Sequence, residues 1–385
     1  MNPLVDAVLI VAFWLCVLEI AYSYALYPLA LRLLARLFGR PVKSSPFEPS
    51  VAVVIPVYNE EKVIAAKIAN IFASDYDPAR LSVWVGSDCS TDRTEELIRN
   101  CGDPRVKLWR APARCGKAGI LNQLVPQVDA EVVVFTDADI LFDRAGLRML
   151  ARNFADPEVG GVAGATVQRK AGADIANEET GYRNYETRLK TLEARLHSTI
   201  SAFGSFFAVR KDLFVPFHPH TYSNDDVMLP MNVVRQGKRM YFENAALSFE
   251  DAQEELAVEF KRRIRICAGN FQAFFWLLDF LNPARGWPWF CYVSHKVTRW
   301  FSPLFLLLGA LCCAVLAFVD PALVYKVFLL FGIIGVAASL FHKIVPLPLG
   351  RQAFYFLAIN AAALLGFCRF LGGIRSAVWA RTERG

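Results

Sequence analysis

Apolar residues fill the two ends of this 385-residue chain, while the middle alternates short apolar runs with amphipathic stretches. Residues 3–36 are one apolar stretch, opening Leu4-Val5-Asp6-Ala7-Val8-Leu9-Ile10-Val11. It exceeds the roughly 20 residues that cross a bilayer. It is too long for a signal-peptide core and has neither a basic start nor a small-residue cleavage site, so it predicts a retained anchor. Three further apolar blocks run Phe305–Val319, Val324–Phe341 and Phe354–Phe367, punctuated by Pro303, Asp320-Pro321 and Pro346-Leu347-Pro348. They are short for spans, but their flanks extend them. Three in succession without an amphipathic stripe favour membrane helices over buried core helices.

Between the ends, residues 41–50 read as a Pro/Ser linker. Val51–Ile55, Leu81–Val85, Val106–Trp109 and Glu131–Thr136 predict strands. Residues 60–73, with Ile64, Ile68 and Ile71 on one face, predict a helix, as do 90–100, with Ser90 or Thr91 as cap, and 117–125. Such alternation predicts an α/β fold with a mostly parallel sheet covered on both faces. A less regular half follows, with a polar helix over 177–200, a strand over 206–209, a helix over 226–236 and a strand over 240–242. Residues 254–280 predict an amphipathic helix that turns aromatic, and Phe271, Phe274, Phe275, Trp276, Trp287, Trp289 and Trp300 cluster there. They form either a belt at the membrane interface or an aromatic core under the sheet. The expected division is an N-terminal transmembrane helix over 1–40 and a catalytic domain over 41–253. Interfacial helices over 254–302 and a C-terminal transmembrane region over 303–385 complete it.

Charge sets the expected orientation. Arg32, Arg36, Arg40 and Lys43 follow the first apolar block, and excess Lys and Arg mark the cytoplasmic side. The central region is thus expected in the cytoplasm, on a plasma (inner) membrane. His342, Lys343 and Arg351 suit a second cytoplasmic return. Arg369, Arg375, Arg381 and Arg384 also call for the inside, so either the last block is re-entrant or one block lies along the surface. The formal charge of +6 is explained by these flanks and carries no nucleic-acid signature. The nine cysteines are scattered, with no CxxC pair, which argues against a zinc site or a disulfide framework.

Four polar clusters stand at the ends of the predicted strands: Pro56-Val57-Tyr58-Asn59-Glu60, Ser87-Asp88-Cys89-Ser90-Thr91-Asp92, Cys115-Gly116-Lys117-Ala118-Gly119-Ile120-Leu121-Asn122 and Thr136-Asp137-Ala138-Asp139. Carboxyl ends of neighbouring parallel strands share one edge, where ligands bind. Taken singly, Ser-Thr-Asp is ordinary turn chemistry and Gly-Lys an ordinary helix start. In register they suit a nucleotide. Asp88 is able to accept hydrogen bonds from a base or ribose, and Lys117 at a helix start to meet a phosphate. Asp137 and Asp139 offer the oxygen ligands that Mg²⁺ or Mn²⁺ takes together with substrate phosphates.

On these four motifs the chain resembles the family 2 inverting glycosyltransferases of GT-A fold over about residues 50–270. Its flanking spans are similar to the membrane-bound polysaccharide-synthase branch. The resemblance implies a UDP-sugar donor held by Pro56, Tyr58, Glu60, Asp88, Lys117, Asp137 and Arg262. It implies a metal on Asp139 and Asp137, with Asp139 the direct ligand. Ser223-Asn224-Asp225-Asp226 stands where the family holds its catalytic base, which gives Asp226 beside Asp225. The other reading of this pair is a helix N-terminus capped by Asn224. Arg265 keeps the cation that faces the diphosphate. Arg262 stands where the synthases have Gln, and Ile266 where they have an acceptor-stacking Trp, a departure that weakens the case for long-chain synthesis. The same basic run also reads as a membrane-surface stripe drawn to anionic lipid. The resemblance places Gly204, Ser205 and Phe206 where such enzymes form the acceptor platform. The implied activity is sugar transfer to a growing saccharide. A non-processive transferase acting on a lipid or lipid-linked acceptor, and a non-catalytic membrane subunit binding a partner synthase, are the alternatives.

Overall fold

The computed structural model describes residues 3–169, 174–251, 256–341 and 348–374. The strands are β1 Val51–Val57, β2 Leu81–Ser87, β3 Val106–Arg110, β4 Val132–Phe135, β5 Leu141–Phe142, β6 Val159–Arg169, β7 Phe207–Arg210 and β8 Arg239–Asp251. They form one sheet ordered β3-β2-β1-β4-β7-β6-β8-β5. The first four are parallel neighbours, with Val51 of β1 level with Leu81 of β2 and Val132 of β4. β7 is antiparallel to β4 and β6, and β6 and β8 are parallel.

Every residue of β1 is buried, because its alternate side chains feed two cores. Val51, Val53 and Ile55 pack with Ile64, Ile68 and Ile71 on one face, and Ala52 and Val54 pack with Ile120, Leu121 and Leu124 on the other. Each fully buried side chain of this size contributes about 1.5–3 kcal/mol. The two helix layers therefore fix the sheet, and with it the edge at which β1, β2 and β4 end.

Several boundaries differ from the pattern-based reading. The helix expected from 60 begins at Ile64, and the one expected from 90 begins at Thr94. Neither Ser90 nor Thr91 caps it: Asp92 Oδ1 accepts from Thr94 N at 3.0 Å, while Ser90 Oγ accepts from Asn59 N at 3.1 Å. The sequence reading missed β6. Gly160, Gly161 and Gly164 weaken a strand pattern, yet here they admit close neighbours. A Cβ on Gly164 would lie 2.6 Å from the Phe206 ring and 2.7 Å from the Ala246 carbonyl.

Among the described residues, four helices are long and apolar enough to cross a membrane: Pro3–Phe38, Trp287–Val319, Leu323–Leu340 and Gly350–Leu371. Their outward faces are exposed, Leu15 to 57%, Phe318 to 86% and Phe331 to 69%. The second starts well before the expected block, so residues 287–302 continue into it and Pro303 lies inside the helix rather than before it. The aromatic cluster divides. Phe271 and Trp300 are buried and Phe271 packs on Phe301 and Phe367, whereas Phe275 is exposed. The basic return at His342 and Lys343 and the tail residues Arg375, Arg381 and Arg384 lie outside the described residues, as does the start of the helix expected from 254.

The first two long apolar helices each contain a π turn, Tyr22–Leu26 and Tyr292–Val297. The two turns meet: the Tyr22 hydroxyl and Ser294 Oγ are 2.7 Å apart. Such bulges redirect side chains within a helix and are frequent at functional sites. Here they aim Tyr27 and His295 at Glu193 of the helix Asp174–Leu196, at 2.8 and 2.6 Å. Apolar helices and sheet domain are thus joined through a buried polar contact.

Candidate active site

Side chains from three of the four strand-end clusters and from the helix Asp225–Arg235 line one cleft of about 280 Å³. Pro56, Tyr58 and Glu60 come from the end of β1, Lys117 from the start of the helix Gly116–Leu124, and Asp137 and Asp139 from the turn after β4. Gly204, Asp225, Asp226, Arg262 and Arg265 close it.

Two of the backbone turns that deliver these residues are left-handed. Asn59 has φ 56° and Cys89 φ 60°. The side chain of Asn59 holds the two loops together, accepting from Thr91 N at 2.8 Å and donating to Thr91 Oγ1 at 3.2 Å. Asn tolerates this conformation because its short amide bonds locally.

Asp88 is not part of the cleft wall. Its carboxylate is fully buried and accepts from Cys115 N at 2.7 Å, Arg114 Nε at 2.9 Å and Gly116 N at 3.2 Å. It fixes the loop that starts the Lys117 helix, and Gly116 at φ 74° makes that turn. Arg114 in turn lies 3.4 Å over the ring of Tyr58. In this geometry Asp88 anchors the loop behind the cleft. Phe206 also departs from expectation: it is fully buried against Phe142, in the core rather than on an acceptor platform. Ser205 is buried and shares a hydrogen bond with Thr166 at 2.8 Å. Asn224 does not cap its helix. It sits at φ 70° with no capping bond, and its amide donates to Asn270 Oδ1 at 2.6 Å.

Lys117 is the electrostatic centre of the cleft. Its ammonium donates to Asp137 Oδ1 at 2.8 Å and lies 3.0 Å from Asp225 Oδ2. Burial works against this charge, but the two carboxylates hold the lysine above its ordinary range. Asp226 behaves oppositely. Burial, and then the adjacent Asp225, push it up to about 6, against the pull of Lys190, Lys296 and Lys117. A carboxylate so placed is basic enough to take a proton near neutral pH.

Among the described residues no three His, Cys, Asp or Glu side chains gather as a ready metal cage. Asp137 and Asp139, two hard oxygen donors facing the same cleft, still fit a cation that takes its remaining ligands from a bound diphosphate. A second buried lysine supports their turn. Lys67 Nζ donates to Thr136 Oγ1 at 3.0 Å and to Ile140 O at 2.5 Å, gripping both ends of the segment.

A larger chamber of about 650 Å³ opens from the same site. Asp137, Gly204, Asp226, Glu250, Arg262 and Ile266 line both spaces. The rest of the chamber is walled by Lys190, by Tyr24 of the first apolar helix, by His295, Lys296 and Arg299 of the second, and by Tyr355, Phe356 and Ile359 of the last. Glu250, on β8, was missed from sequence, and it pairs with Arg183 at 2.8 Å. Lys67 did leave a signal: it falls at helical spacing among Ile64, Ile68 and Ile71, where a lysine is out of place.

Comparison with known proteins agrees with this arrangement. Residues 52–215 match the model of the family described as glycosyl transferase family 2. The chain is 30% identical over 115 residues to protein RfbJ of Shigella flexneri, covering 29% of this chain and 84% of that one. It is 30% identical over 197 residues to the beta-monoglucosyldiacylglycerol synthase of Synechocystis sp., covering 46% of this chain and 40% of the relative. It is 31% identical over 163 residues to an N-acetylglucosaminyltransferase of Rhizobium meliloti, covering 39% and 38%. The chain thus spans less than half the length of those two longer relatives. Among solved structures, the mannosyltransferase PcManGT from Pyrobaculum calidifontis, in complex with GDP-Man and Mn²⁺, superposes with a TM-score of 0.73 at 22% identity, over 94% of this chain and 99% of that one. That likeness includes the apolar helices and identifies the sheet domain as a GT-A fold. The chain belongs to glycosyl transferase family 2.

Proposed function

We propose that the protein transfers a sugar from a nucleoside-diphosphate sugar, UDP-linked in the first instance, to a hydroxyl group of an acceptor that reaches it from the membrane. The observation that carries this reading is the position of Asp226. It stands in the wall between the cleft of acids and lysine and a chamber lined by three apolar helices. Donor and acceptor would meet there from opposite sides.

In this reading the acceptor oxygen attacks the anomeric carbon and Asp226 takes its proton. The bond from that carbon to the diphosphate oxygen breaks, and the diphosphate leaves with the electron pair. Attack from the face opposite the leaving group inverts the anomeric centre. Lys117 and Arg265 face the charge that develops on the leaving group. Asp139 and Asp137 would hold Mg²⁺ or Mn²⁺, whose charge offsets that of the diphosphate. Asp225 holds Lys117 in place. Pro56, Tyr58 and Glu60 shape the donor side, with Asp88 fixing the loop behind it. Gly204 leaves room beside Asp226, and Ile266 marks the passage between the two spaces.

The sequence reading placed growth of a saccharide first. The chamber walls favour an acceptor with a lipid anchor, and so does a relative named for making a glucosyldiacylglycerol. A lipid-linked saccharide satisfies both readings. The basic residues after the first span support a cytoplasmic catalytic domain on the inner membrane. The decisive experiment is a screen of nucleotide sugars with the detergent-purified protein and Mg²⁺, Mn²⁺ or chelator, offering diacylglycerol, a polyprenyl-linked sugar or a soluble oligosaccharide. Diphosphate release that requires a lipid acceptor and is lost in Asp226→Asn supports the reading. Release that persists unchanged in Asp226→Asn, or transfer to the soluble oligosaccharide alone, defeats it.

A further inference from the structure

Lys190 is a buried cation to which the sugar-transfer reading gives no task. It lies on the helix Asp174–Leu196 and is 2% exposed. An ammonium is costly to bury unless its protons find acceptors. Here Nζ donates to Ser201 O at 2.9 Å, to Ala202 O at 3.2 Å and to Ser201 Oγ. Thr199 Oγ1 donates to the same Ser201 carbonyl at 2.9 Å. Two successive carbonyls turned onto one ammonium fix the strap formed by residues 199–204.

The strap in turn holds Asp226. Ala202 N donates to the Asp226 carbonyl at 2.7 Å, and Gly204 lies so near that a Cβ there would be 3.6 Å from Asp226 Oδ2. Lys190 and Asp226 also line the same chamber. The charged groups facing Asp226 are Asp225 on its own helix, Lys117 across the cleft, Lys296 from the second apolar helix, and Glu250 and Arg262 on the shared wall. Those facing Lys190 are Lys296, Glu186, Glu193 and Asp226, and burial followed by Lys296 brings it down to about 8. It therefore still carries its proton at neutral pH.

We propose that Lys190 is a positioning residue for the base: it fixes the strap against which Asp226 rests and places a buried positive charge in the same chamber. This inference rests on Asp226 being the base. The test is kcat/KM against pH for the wild type and for Lys190→Met, Lys190→Gln and Lys190→Arg. Nucleoside-diphosphate binding and melting temperature serve as checks on the fold.

The neutral variants are expected to bind nucleotide as the wild type does. Their acid limb should move upward by about one pH unit, and the plateau kcat of Lys190→Met should fall roughly tenfold as the strap loosens. Lys190→Arg should restore the position of the limb. If Lys190→Met fails to fold, Lys190→Gln, whose amide still donates to the strap, carries the measurement. A neutral variant with lowered kcat but the wild-type acid limb reduces Lys190 to a packing role and overturns the proposal. Full turnover in Asp226→Asn instead removes the base assignment, a separate failure from that of Lys190.

Discussion

On the donor side of the cleft, the contributing residues other than Arg262 and Arg265 stand at the end of a strand or the start of the helix that follows. Tyr58, Lys117, Asp137 and Asp139 all come from the first 140 residues, and one parallel sheet edge brings them together. The acceptor side is assembled differently. Asp226 rests on a strap held by Lys190, faces Lys296 across the chamber, and shares that chamber with Tyr355 of the last apolar helix. The donor half is local chemistry on a regular frame. The acceptor half depends on contacts between segments far apart in the chain, several of them in the apolar helices. Damage to the domain–helix joint should therefore affect the acceptor side first.

The largest effect is expected where the halves meet. Asp226→Asn should lower kcat by about 10³-fold with nucleotide affinity unchanged, measured by turnover and by calorimetric titration with nucleoside diphosphate. An equal loss of nucleotide binding would show that the two sides are not separable there. Next comes the joint. Glu193 is buried and bonded to both Tyr27 and His295. Glu193→Gln should cost about 3 kcal/mol, read as a lower melting temperature in detergent, with acceptor turnover falling more than nucleotide binding.

Asp139→Ala tests the donor half alone. Mn²⁺-dependent binding of nucleoside diphosphate should weaken by on the order of 10- to 100-fold, while the melting temperature stays within a degree or two of the wild type. Unchanged binding in the presence of Mn²⁺ would exclude Asp139 as a metal ligand. The mildest perturbation is pH itself. Because burial and Asp225 raise Asp226 to about 6, the base gains a proton as pH falls through that value. kcat/KM should then drop about tenfold per unit below it, with nucleotide binding falling less. A limb near the ordinary aspartate range would mean that Asp226 is more solvated than the structure places it.

The donor half was legible in the sequence because its signals are short. Val51–Ile55 reads as a doubly buried strand, and the polar residues after it face the open edge whatever the rest of the chain does. The same holds for Asp137 and Asp139 after β4. The role of Asp88 was not legible. A carboxylate at a strand end gives no sign of a loop anchor, and the three donors around it, from Arg114, Cys115 and Gly116, come together only in the folded chain. Phe206 misled for a related reason, since one residue of offset turns a side chain from the site to the core. β6 was hidden because its glycines look like breakage, although they answer to the close approach of Phe206 and Ala246.

The sequence alone determined the frame: alternating buried strands and helices, apolar ends, and acids with a lysine at the carboxyl edge. Periodicity and the obligation to bury apolar faces demand that much. The tertiary structure decided which of those acids share a cleft and that Lys67 and Lys190 stand behind them. It also decided that the chamber beside Asp226 is walled by helices from both ends of the chain. Those outcomes depend on contacts between separate elements, where no local pattern fixes distance, burial or charge.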